Sequence, residues 1–141
     1  MKVVFDTNMI LDAAMGRPGS EPAQELVQAA ISGEIVGIVT TNSITDIHYI
    51  VKKRLVEEKA RIVIYNVLSL FDVAAVDADM CSAALNTDMK DYEDAVLAVC
   101  AKRTGADYIA TRDEGFINEP ATPVTALHPQ DILGVIRDED D

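Results

Sequence analysis

Short apolar runs alternate along this chain with stretches whose apolar residues recur every three or four positions, and that alternation predicts an order of elements. Lys2 to Phe5 reads as a short buried strand that stops at Asp6-Thr7-Asn8, residue types favoured in turns and helix starts. Beyond the loop Gly16-Arg17-Pro18-Gly19, Pro22 opens a helix. Its Ala23, Leu26, Val27, Ala30 and Ile31 keep the 3.6-residue period, and it ends at Ser32-Gly33. Ile35 to Thr40 is a second strand. Thr41-Asn42-Ser43 then supplies cap residues for a helix with Ile44, Ile47, His48, Val51 and Leu55 on one face and Asp46 in its first turn. A further helix is expected from about Glu57 to Ser69, and a third strand from Phe71 to Val76, short because of its alanines.

Asp77 to Leu85 returns to helix, and the polar run Asn86 to Lys90 reads as a loop. Asp91 caps a helix from Tyr92 to about Thr104 that ends at Gly105. Tyr108 to Ala110 makes another strand, terminated by Thr111-Arg112-Asp113-Glu114-Gly115. Val124-Thr125 is a last extended piece, and a small helix follows from Pro129 to about Val135. Helices alternating with short β-rich runs predict an α/β fold with a mainly parallel central sheet covered on both faces. In such sheets the ligand crevice lies beyond the carboxyl ends of the strands. Asp6 and Asp113 directly follow strands, Asp46 follows one by a few residues, and Asp94 stands in the first turn of a helix that can project toward the same crevice.

Length and charge narrow this picture. At 141 residues the chain reads as one domain over 1–137 with an acidic tail, Asp138-Glu139-Asp140-Asp141, expected to be solvated and frayed. No apolar run approaches the roughly 18 to 20 residues that cross a bilayer, and Met1-Lys2 leads straight into the first strand without a signal-like stretch. A soluble, cytoplasmic protein without a membrane partner is the expectation. Cys81 and Cys100 lack CxxC spacing and clustered histidines, so they read as buried thiols rather than zinc ligands. A net charge of −12 argues against broad attraction to a polyanion, although part of it is the tail and part would be cancelled by cations held among the aspartates. No Gly-rich phosphate loop is present, which disfavours a nucleotide cofactor.

Each of the four aspartates has an ordinary structural duty open to it. Asp6 and Asp113 suit turns, Asp46 lies three residues after Ser43, and Asp94 lies three after Asp91, the spacing of a capping box. As a set they say more. Several like charges brought into one pocket are costly unless a cation neutralises them, and carboxylates without histidine or cysteine are the donors that hard divalent cations choose.

Four pieces carry a resemblance. They are Val3-Val4-Phe5-Asp6-Thr7-Asn8, Thr45-Asp46, Asp91-Tyr92-Glu93-Asp94-Ala95-Val96-Leu97-Ala98 and Ile109-Ala110-Thr111-Arg112-Asp113. No single piece is specific, but in order and spacing they resemble a PIN domain from Met1 to about Leu133, and in particular its prokaryotic single-domain members, many of which are ribonuclease toxins of VapC type. The resemblance implies a three-layer α/β/α sandwich and a Mg2+- or Mn2+-dependent endoribonuclease hydrolysing RNA phosphodiester bonds. It also implies an antitoxin protein as partner and a homodimer. The family's acids map onto Asp6, Asp46, Asp94 and Asp113, with Asp91 as an additional acid of this subgroup. Asp6, Asp94 and Asp113 are then expected on a first metal, with Asp46 orienting a metal-bound water or sharing a second ion. The family more often has glutamate at the second position, so Asp46 is one methylene shorter than usual. Asn8 and Thr111 are candidates for polar support, and Arg17, Lys90 and Arg112 for contacts to phosphate. His48, on an apolar helix face, reads as structural, and His128 carries no expected role.

Two other classes stay open at this point. One is a catalytically silent PIN-like module that binds RNA or protein without cutting. The other is a phosphotransfer receiver domain, also α/β with aspartates at strand ends, which lacks its paired acids here.

Overall fold

The computed structural model describes residues 1–140. Strand β1 (Lys2–Phe5) turns Val3 and Phe5 toward one face of the sheet and Val4 toward the other, and all three are fully buried. A strand covered on both sides has no polar face to show, hence its unbroken apolar sequence. Helices α1 (Thr7–Met15) and α2 (Glu21–Ile31) follow, then strand β2 (Val36–Thr40), helices α3 (Thr41–Arg54) and α4 (Glu57–Leu70), and strand β3 (Asp72–Ala74). Helices α5 (Ala78–Leu85) and α6 (Tyr92–Arg103) lead to strand β4 (Tyr108–Ala110), the short α7 (Glu114–Ile117), strand β5 (Ala126–Leu127) and α8 (Pro129–Asp140).

The five strands are all parallel in the order β3-β2-β1-β4-β5. The first strand is therefore central, with Val4 opposite Ile38 on β2 and Ile109 on β4. One face is covered by α1 to α4 and α8, which bury Phe5, Leu11, Leu26, Ile47, Val51 and Ile132. The other is covered by α6 and α7 over Val4, Ile38, Ile109 and Phe116, with α5 packed on α6 through Ala84, Ala95 and Val99. This is the three-layer α/β/α sandwich expected from the sequence.

The details differ in five places. Thr7–Met15 is helical although its pattern shows no 3.6-residue period, because Met9, Ile10, Leu11 and Asp12 are all buried in succession and the helix has no broad polar face. Gly16 ends it at φ 59°, in the left-handed region that glycine adopts without a Cβ penalty. Helix α3 starts a residue early: the last residue of β2, Thr40, is the N-cap, its hydroxyl accepting from the Ser43 amide at 3.4 Å. Asp46 consequently stands in the second turn, not the first, and is exposed. The third strand keeps only Asp72–Ala74 of the expected six residues, and the last strand forms at Ala126–Leu127, after the expected Val124-Thr125. Finally, α8 runs on through Asp138 and Glu139, where a frayed tail was expected, with Arg137 paired to Glu25 of α2 at 2.9 Å. Asp141 lies outside the described residues. Of the two thiols, Cys100 is buried and Cys81 only partly so. Among the described residues no helix is long and apolar enough to cross a membrane.

Candidate functional site

The carboxyl edge of the sheet gathers the polar residues. Asp6 stands between the end of β1 and the start of α1, at the N-cap position without a side-chain capping bond, and its amide donates to the carbonyl of Ala110 on β4 at 3.0 Å, so the exits of the two strands lie side by side. The next residue after β4, Thr111, is fully buried. Its hydroxyl donates to Asp6 Oδ2 at 2.9 Å and accepts from the Asp113 amide at 3.1 Å. One side chain thus ties the first acid to the loop that carries the last. Asp113 caps α7, its Oδ1 accepting from the Gly115 amide at 2.9 Å.

Asp94 enters from α6. The helix begins at Asp91, whose Oδ1 accepts from the Asp94 amide at 2.9 Å, so Asp91 performs the capping duty and Asp94 is left to face the crevice. Burial, then the charges of Asp91, Asp113, Asp6 and Glu93, pushes the Asp94 carboxyl up to about 7. Burial likewise raises Asp6, opposed by hydrogen bonds from the Thr111 hydroxyl and the Thr7 amide that favour its ionised form. Like charges are being held together in a partly dry place.

A cavity of about 380 Å³ opens beside these acids, lined by Asp6, Asp94, Asp46 and Glu93 with the hydroxyls of Thr40 and Ser43. Asp46 therefore does reach the same space from α3. Asp113 does not line the cavity and meets the others through its charge on Asp6 and Asp94. Thr7 Oγ1 and Ser43 Oγ stand 2.8 Å apart, with Thr40 Oγ1 3.3 Å beyond, a chain of hydroxyls joining α1, α3 and β2 at the cavity floor. Glu93 and this chain escaped the sequence reading, although the run Thr40-Thr41-Asn42-Ser43 was a visible signal of unusual hydroxyl density.

The donors on offer are all hard oxygens, and magnesium is commonly held by one or two carboxylates with waters filling the remaining positions. Asp6 and Asp94 on one cavity fit that pattern. Among the described residues no group of three or more Asp, Glu, His or Cys is set to hold an ion by itself. Other expected participants have partners of their own. Asn8 is exposed and its Oδ1 accepts from Arg17 Nη1 at 3.4 Å. Arg17 and Arg112 both pair with Asp12. His48 meets Glu57 at 3.1 Å across α3 and α4, and His128 meets Glu114 at 2.7 Å.

Comparison with known proteins bears on the fold and on the family. No curated protein sequence matches the chain significantly. In fold, the chain is similar to a chain of VapBC2 from Rickettsia felis bound to a promoter DNA fragment, at 16% identity and TM-score 0.68 over 91% of this chain and 98% of that one. It is similar to DNA-bound VapBC from Salmonella typhimurium at 19% identity and TM-score 0.67, covering 92% and 98%. It also resembles VapC20 from Mycobacterium tuberculosis, a toxin that cleaves the sarcin-ricin loop, at 18% identity and TM-score 0.62, covering 81% and 92%. These are likenesses of fold. The sequence model of the PIN domain matches residues 2–115, most of the chain, and the chain belongs to the PIN domain family.

Proposed function

We propose that this protein is a Mg2+- or Mn2+-dependent endoribonuclease, the toxin of a type II toxin–antitoxin pair. The observation that carries the reading is the meeting of Asp6, Asp46 and Asp94 on one cavity at the carboxyl edge of the sheet, with Asp113 within charge range of Asp6 and Asp94. Carboxylates that repel one another in a partly dry place are ones a divalent cation stabilises by neutralising their charge, with release of the proton that Asp94 holds. Asp6 and Asp94 would hold the ion. When bound, it would supply a deprotonated water and neutralise charge on the phosphoryl oxygens.

The chain's own residues do the rest. Thr111 fixes the rotamer of Asp6, Asp91 fixes the first turn that carries Asp94, and Asp46 and Glu93 on the cavity wall orient water. Asp113 raises the anionic field in which the ion sits. RNA is the substrate, the cytoplasm the compartment, and the partners are an antitoxin protein and a second copy of the chain. The domain spans 1–137. Exposed Ile62, Tyr65 and Leu68 on α4, beside an apolar groove whose Thr45 also borders the acid cavity, support a covered protein face there.

The test is RNA cleavage with and without manganese. Asp6→Asn and Asp94→Asn are each expected to lower the rate by more than the roughly 10- to 100-fold that loss of an outer supporting group costs. Unchanged cleavage in both, with folding intact by circular dichroism, would sink the assignment. A second reading, a silent RNA- or protein-binding module, is favoured by the absence of a ready three-acid set among the described residues. Calorimetry showing no manganese binding at millimolar concentration would decide for it.

A further inference from the structure

Asp12 is a buried aspartate on α1, between the buried Leu11 and the helix end, with 5% of its surface exposed. A buried carboxylate is tolerated only when paired. Here two guanidiniums meet it, Arg17 Nη1 on Oδ1 at 3.1 Å and Arg112 Nε on Oδ2 at 2.9 Å. Two arginines on one acid leave a positive charge over. Arg112 sits between Thr111 and Asp113, and its charge is felt at Asp6. The pair with Asp12 fixes where that charge stands.

The contact to Asp12 runs through Nε, and a guanidinium carries five N–H donors, more than this one contact takes up. The Arg112 side chain is 53% exposed. Beside it lies a second cavity of about 180 Å³, bordered by Asp12, Arg112, Ser20 and His128, several times the roughly 30 Å³ share of one water. Arg112 follows β4 and His128 follows β5, so this cavity continues along the same carboxyl edge of the sheet, each strand adding a step of about 4.8 Å.

We propose that Arg112, braced by Asp12 and with Arg17 behind it, is a phosphate subsite that binds the RNA backbone phosphodiester neighbouring the one presented to the acids. This deepens the ribonuclease reading and rests on it. It explains how a chain of net charge −12 engages a polyanion: the cation is single, local and oriented in advance, so little side-chain freedom is lost on binding.

The experiment is binding of a fluorescent single-stranded oligoribonucleotide in EDTA, where no cleavage intervenes, over a range of salt. Arg112→Gln is expected to weaken affinity about tenfold and to reduce the logarithmic salt slope by about 0.7, one phosphate contact on a single strand. Arg112→Lys should keep the slope and lose part of the affinity, because a point charge replaces the fork. Where Arg112→Gln does not fold, Arg17→Gln carries the comparison with an expected loss of a few-fold. Affinity and slope unchanged in the folded variants overturn the subsite, as does a wild-type protein that binds no RNA in EDTA. Failure of the ribonuclease reading shows separately, as wild-type protein that binds RNA but does not cleave it with manganese.

Discussion

Thr111 puts two contacts on one oxygen, donating to Asp6 and accepting from the Asp113 amide, and its burial leaves no water to replace either. Thr111→Val keeps the shape and removes both bonds. Cleavage should fall about 10- to 100-fold, as for other groups that orient a metal-binding acid, while Thr111→Ser keeps most activity; equal rates in wild type and Thr111→Val would remove this role. At this scale the sequence was legible where a residue sits at a junction. Asp6, Asp94 and Asp113 each mark the end of a strand or the start of a helix, and such ends stand out as breaks in an apolar run. Asp12 does not. It lies inside an apolar stretch, and its partners are five and a hundred positions away, so nothing local distinguishes it from a misplaced surface acid.

Among the elements, β2 owes its place to a missing side chain. A Cβ on Gly37 would lie 2.6 Å from the ring of Phe71 and 2.9 Å from Ala30 Cβ, inside any real contact distance. Phe71 in turn stands edge-on to Phe5 with centroids 5.2 Å apart, so the ring cannot retreat without disturbing the central strand. Gly37→Ala should therefore destabilise by about 1–3 kcal/mol through overpacking, read as a lower urea midpoint at unchanged slope. An unshifted midpoint would show that the ring moves freely. The same neighbourhood shows what pattern reading can and cannot reach. Strands β1, β2 and β4 were found within a residue because burial on both faces makes a continuous apolar signal. The third and fifth strands are only three and two residues long, held by their register on β2 and β4 rather than by any pattern of their own. The start of α3 was misjudged because several consecutive cap-forming residues compete, and only the strand pairing shows that Thr40 wins.

For the molecule as a whole, the clustered acids set the direction of its pH response. Asp94 titrates near 7 in the folded chain against 3.8 in its ordinary state. Between those values the folded chain keeps a proton that the unfolded chain has released, so metal-free stability falls as pH rises through the window. The raised carboxyl of Asp6 acts in the same direction. The melting temperature in EDTA should be higher at pH 5.5 than at pH 7.5 by a margin that shrinks in Asp94→Asn. Manganese should narrow it too, since a bound ion favours the ionised acids. A margin identical in wild type and variant would show that Asp94 carries none of it.

The central position of β1 ties the first strand to one formed a hundred residues later, and that has a bearing on how the protein is made. A nascent chain still on the ribosome already displays Asp6 and Asp46, yet until β4 has cleared the exit tunnel there is no Thr111 to brace the first of them and no Asp113 beside it. A fragment that ends before β4 therefore lacks both of these supports for the acid cluster. The acid cluster is assembled only once β4 and the loop that carries Asp113 have emerged.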